Sequence, residues 1–84
     1  MLAMQKILVV DDEVDIRRAF RRNLESPDLT VVEAGDGTEA IRVIAQEQPD
    51  LVCMDIRMGG TNGLETLRKL RELNPKLLVI MMTA

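Results

Sequence analysis

The sequence predicts a doubly wound parallel α/β domain of order β-α-β-α-β-α-β, and three observations carry that prediction. Short apolar runs alternate with stretches of helical periodicity, the connections between them are short, and two of the runs end directly in acidic residues. Such alternation implies parallel strands, right-handed crossovers and helices on both faces of one sheet.

The first strand is Lys6 to Val10, where four consecutive apolar residues, three of them β-branched, run into Asp11, Asp12 and Glu13. A run this short reads as a strand apolar on both faces. Asp12 or Asp15 can cap the helix that follows, in which Ile16, Phe20 and Leu24 recur every fourth residue and Arg17, Arg18, Arg21 and Arg22 take the other faces. Ser26-Pro27-Asp28 ends this helix, and Leu29 to Val32 is rich in β-branched residues and reads as the second strand. Ala34-Gly35-Asp36-Gly37 is a turn, after which Thr38 caps a helix from Glu39 to about Gln46, with Ala40, Ile41 and Ile44 inward. Pro49 closes it before the third strand, Leu51 to Met54, which delivers Asp55. Ile56 to Gly63 is a glycine-dense loop, and the third helix, Leu64 to about Leu73, carries leucines at 64, 67, 70 and 73. Pro75 punctuates before the fourth strand, Leu77 to Thr83. That strand is the most apolar of the sheet; exposed at an edge, it invites pairing with another chain.

Composition narrows the function. A net charge of -3 and a pI near 4.8 disfavour nucleic-acid and anionic-membrane surfaces. Phe20 is the only aromatic residue, so the platforms on which bases stack are missing. Cys53 lies within an apolar run and reads as a buried free thiol, in keeping with a reducing cytoplasm. The amino terminus lacks the pattern of a secretory signal, and the longest apolar run, Leu77 to Met82, is far shorter than the roughly 20 residues a membrane span needs. A single soluble domain, or part of one, is expected.

If the first and third strands are neighbours, Asp11, Asp12 and Asp55 meet at their carboxyl ends. In open parallel sheets, ligands sit beyond that edge, where the strand order reverses. Like charges about 4 Å apart repel by roughly 4 kcal/mol per pair at an effective dielectric near 20, so a counter-charge is required, and a hard divalent cation suits carboxylate oxygens. An acidic pair after one strand is more often a turn or a cap; the acid at the end of a second parallel strand reverses that weighting.

These residues resemble the receiver domain of bacterial response regulators, the phosphoacceptor half of two-component signalling. Val9 to Glu13 matches the acidic signature, Asp50 to Met58 the phosphoacceptor segment, Asn62-Gly63 the turn before the third helix, and Thr83-Ala84 the end of the fourth strand. The resemblance implies a flavodoxin-like receiver fold with strand order 2-1-3-4-5. It makes Asp55 the nucleophile that takes a phosphoryl group from a sensor histidine kinase. Asp12 and Asp55 are implied as direct Mg²⁺ ligands, Asp11 as a ligand through water, the Arg57 backbone carbonyl as a further one, and Thr83 as a hydrogen-bond donor to the phosphoryl group. The Asp55 to Met58 run and the Met82-Thr83-Ala84 ending are similar to receivers of enhancer-binding transcription activators.

Departures from the family pattern set a second expectation. Receivers continue into a fifth strand, which carries a Lys that pairs with the phosphoryl group, and two last helices; the sequence here reads as a receiver, residues 1–84, incomplete at its carboxyl end. Lys69 and Lys76 are not placed to substitute, and Gly59 stands where Pro is usual. The competing reading is a receiver-derived interaction module, inactive in phosphotransfer, that forms a homodimer through strand 77–83. Two enzyme classes are disfavoured. A flavodoxin-like or dinucleotide-binding enzyme would put phosphate against backbone amides after the first strand, where Asp11, Asp12 and Glu13 would repel it. Aspartyl phosphohydrolases place their paired acids two residues apart, and Asp11 and Asp12 are adjacent.

Overall fold

A computed structural model of the chain describes residues 5–58 and 61–82. The elements are β1 (Gln5–Val10), α1 (Val14–Leu24), β2 (Leu29–Ala34), α2 (Gly37–Glu47), β3 (Leu51–Asp55), β4 (Arg57–Met58), β5 (Thr61–Asn62), α3 (Gly63–Leu73) and β6 (Leu78–Met82). The predicted alternation is present. One detail is new: the glycine-dense loop contains a short antiparallel pair, Arg57 opposite Asn62 and Met58 opposite Thr61.

The four long strands form one parallel sheet of order β2-β1-β3-β6. Side chains alternate across it. On one face Leu8, Val10, Ala34, Val52 and Met54 pack against Ala40 and Ile44 of α2, Leu70 of α3 and Leu77. The strands are apolar on their other face too, with Val9, Val31 and Cys53 buried there. This double burial explains why β1 and β3 read as continuous apolar runs.

Several expectations about the helices are corrected. Neither Asp12 nor Asp15 caps α1: Glu13 holds that position without a side-chain bond, and Asp15 lies in the first turn. Asp11 has taken the Glu13 N–H instead, turning the chain into the helix. At α2 the cap is Asp36, not Thr38. Its carboxylate accepts the Glu39 N–H at 2.8 Å while Glu39 Oε1 accepts the Gly35 N–H at 2.7 Å, a near-reciprocal arrangement that the Asp-x-x-Glu spacing permits. The leucines at 64, 67, 70 and 73 of α3 take different faces of the helix. Steps of three residues drift by about 60° each on a 3.6-residue helix, so Leu64 and Leu73 end on opposite sides and both are exposed, while Thr66 and Leu70 are buried.

The α1 face is the thinner one. No residue of α1 is fully buried, and Ile16 and Leu24 are each 38% exposed. Charge holds the helix down: Arg17 and Arg21 both bond Glu33 on β2, and Arg21 also donates to the Val31 carbonyl. β6 lies at the outside of the sheet, with Leu78 66% and Ile80 52% exposed on this same face.

Candidate functional site

Pairing of β1 with β3 sets Ile7 opposite Leu51 and Val10 opposite Met54, which brings the two acidic ends side by side. Asp11, Asp12 and Asp55 each offer a carboxylate oxygen within 4.8 Å of the others. The predicted convergence is therefore realised at the carboxyl edge of the sheet.

Each outer member of the cluster is fixed by its own backbone. Asp11 Oδ1 accepts the N–H of Glu13 at 2.9 Å, and Asp55 Oδ1 accepts the N–H of Arg57 at 2.9 Å. Both are turns in which the acid bonds the residue two places on, a geometry natural to Asp. One oxygen of each carboxylate is thereby committed and its direction set. The Asp11 N–H is also held, by the Ala34 carbonyl at 3.1 Å.

Burial grades across the three. Asp11 is 3% exposed, Asp55 is partly buried and Asp12 is exposed. Loss of hydration raises the Asp11 pKa above the ordinary carboxylate value; the Glu13 N–H pulls the other way, and the charges of Asp55 and Asp12 add to the rise. Among the described residues, no ion pair reaches Asp11 or Asp55. A carboxylate pushed up by burial and, beyond that, by two acidic neighbours is the electrostatic condition that a bound cation relieves, and an all-oxygen donor set suits a hard one.

Thr83 and Gly59 lie outside the described residues. Arg57 follows Asp55 by two positions, at the start of β4. Lys69 is on α3 and Lys76 lies between α3 and β6, away from the cluster in the chain as expected. Cys53 is buried, and burial raises its thiol pKa, which disfavours a role as nucleophile.

Two residues of the site were not evident as such in the sequence. Gly63 was read only as part of a turn. A Cβ there would lie 2.8 Å from the Asp55 carbonyl oxygen and 2.9 Å from Ile56 Cα, so only glycine lets α3 begin against the backbone that carries Asp55. Arg17 was read as one of four arginines on a solvated face. Its guanidinium donates to the Asp11 backbone carbonyl at 2.6 Å and to Glu33 Oε1 at 3.1 Å. The available signal was Glu33, the lone acid of β2, which calls for a cation on the helix above it.

Fold and acid cluster together define a receiver-type α/β domain. The family model for the response regulator receiver domain matches residues 7–84. Response regulator MprA of Mycobacterium ulcerans (strain Agy99) is 40% identical over 79 residues, 94% of this chain and 34% of that protein. Among solved structures, response regulator TrrA from Thermotoga maritima, in complex with Mg(2+)-BeF, superposes with a TM-score of 0.88 at 36% identity, covering 96% of this chain and 70% of that one. A response regulator receiver domain protein from Clostridium thermocellum gives 0.87 at 32% identity, covering 95% and 65%. The chain belongs to the response regulator receiver domain family. It spans about a third of the length of the curated relatives it matches.

Proposed function

We propose that this chain is the phosphoacceptor of a two-component relay, in which Asp55 takes a phosphoryl group from a phosphohistidine of a sensor histidine kinase. The observation that carries the reading is the convergence of Asp11, Asp12 and Asp55 to within 4.8 Å, with Asp11 buried among like charges. Asp55 Oδ1 accepts the Arg57 N–H, which supports a reading in which Oδ2 attacks the phosphorus. As the O–P bond forms, the N–P bond breaks and its electron pair returns to the imidazole. Transfer of this kind is catalysed mainly by positioning and charge neutralisation, and a fixed carboxylate meets the first need.

The donor set fits Mg²⁺, with Asp12 and Asp55 as direct ligands, Asp11 acting through water and the Arg57 carbonyl as a further ligand. Bound there, the ion would neutralise the acids and the phosphoryl oxygens. Thr83 would hydrogen-bond the transferred group. On this reading the domain, residues 1–84, is a stoichiometric acceptor in the cytoplasm, no enzyme beyond Mg²⁺-dependent self-phosphorylation. Its partner is the kinase; it needs no direct contact with nucleic acid or membrane. An inactive interaction module is disfavoured, because the acid cluster is assembled. A second copy pairing through strand 77–83 is a further proposed contact, which the solution mass of the chain tests.

Intact mass after incubation with Mg²⁺ and acetyl phosphate tests the proposal without a cognate kinase. The expected result is a gain of one phosphoryl group that requires Mg²⁺ and is absent in Asp55→Asn. A folded chain that gains nothing overturns it.

A further inference from the structure

We propose that Arg17 is a positioning residue for the metal site, acting by fixing the peptide plane that joins Asp11 to Asp12. The proposal rests on the metal reading above and deepens it. The β1 ladder ends at Val10, whose partners are Ala34 and Met54, so the Asp11 carbonyl lies past the last register pair on both sides. Arg17 supplies the missing donor: its guanidinium bonds that carbonyl at 2.6 Å. The carbonyl belongs to the peptide whose nitrogen is that of Asp12. Its direction therefore sets how the Asp11 and Asp12 side chains are turned relative to each other.

Arg17 is itself held in place. Its Nε bonds Glu33 Oε1 at 3.1 Å, with both side chains 18% exposed, and Glu33 is steadied in turn by Arg21 at 3.2 Å. Nε and the terminal nitrogen thus reach two acceptors at once, a geometry that the rigid fork of Arg offers and the single ammonium of Lys does not. With the Ala34 carbonyl on the Asp11 N–H and the Glu13 N–H on its carboxylate, Arg17 completes the fixing of Asp11 at backbone and side chain. Arg21 provides the internal control. One helical turn away, it shares Glu33 but donates to Val31 within β2, far along the strand from the acids.

Charge and position predict opposite signs. As a mere cation beside three acids, Arg17 weakens Mg²⁺ binding, so its removal tightens it. As a positioning residue, its removal weakens binding, by about tenfold on the scale typical of groups that orient metal ligands.

Mg²⁺ titration by calorimetry, on chains shown by circular dichroism to be folded, decides between them. Arg17→Met is expected to raise the Kd about tenfold, Arg21→Met, which removes only a support of Glu33, to raise it by clearly less, and Arg17→Lys to fall between wild type and Arg17→Met. In metal-free protein, the Asp12 amide resonance is expected to shift in Arg17→Met and to shift less in Arg21→Met. Tighter or unchanged binding in Arg17→Met, or equal weakening in both Met variants, overturns the proposal. If Arg17→Met does not fold, Arg17→Lys decides: weaker binding supports the proposal and wild-type affinity overturns it. Absence of saturable Mg²⁺ binding in the wild-type chain instead sinks the metal reading, and this proposal with it.

Discussion

At the amino-terminal edge of the sheet, Lys6 Nζ meets Glu47 at 2.9 Å, and the Lys6 backbone N–H is taken by the Asp50 carboxylate at 2.9 Å. At the carboxyl edge, Asp11, Asp12 and Asp55 face one another, and among the described residues no ion pair reaches Asp11 or Asp55. An acid beside a strand end is bonded to the neighbouring strand on one edge, whereas on the other Asp11 is buried beside two like charges. The first arrangement closes the β3 entry. The second stores a demand for positive charge where β1 and β3 emerge, and the chain spends a backbone bond on each outer acid to keep it aimed at that spot.

Substitutions can break this contrast, in descending order of effect. Gly63→Ala places a Cβ against the Asp55 and Ile56 backbone, with no flexible side chain to yield. It is expected to cost about 1–3 kcal/mol in urea unfolding, the range for overpacking, and to slow phosphoryl uptake by moving Asp55. Asp11→Asn removes the most buried member of the cluster and acts in the opposite direction. Without metal it is expected to stabilise the chain at neutral pH by at least about 1 kcal/mol, the energy of one like-charge pair near 4 Å in water, while weakening Mg²⁺ binding in titration. Lys6→Met tests the other edge. Lys6 and Glu47 are 30% and 42% exposed, so its loss is expected to cost under about 1 kcal/mol in the same unfolding assay and to leave Mg²⁺ affinity untouched.

What the sequence disclosed and what it hid divide along physical lines. β1 and β3 were legible because strands buried on both faces must be apolar throughout, and their abrupt endings in Asp11 and Asp55 marked the site. Ala40 and Ile44 of α2 were legible from their helical spacing. Caps were less so: Asp36 and Thr38 are both good capping residues, and only the partner at Glu39 separates them. Tertiary proximity was the least visible. Gly63 and the Asp55 backbone approach across the loop, and Arg17 was masked by the neighbouring Arg18, Arg21 and Arg22, since a run of like charges carries no sign of which member turns inward. The β4–β5 pair, two residues on each side, is too short for any periodicity to announce.

Thermal stability against pH, with and without Mg²⁺, in wild type and Asp11→Asn, tests the central claim most directly. Asp11 carries a raised pKa in the folded chain, so the native state binds more protons than the unfolded state between the ordinary value of 3.8 and the raised one. Its contribution to stability is fully present below the unfolded value and is lost as pH rises through the folded value. The difference between wild type and Asp11→Asn isolates that loss from the other carboxylates. The account predicts that metal-free wild type falls relative to the variant as pH rises through this window, and that Mg²⁺ restores wild type by an amount that grows with pH. A wild-type curve parallel to that of Asp11→Asn, or a Mg²⁺ gain that is equal at low and neutral pH, would contradict it.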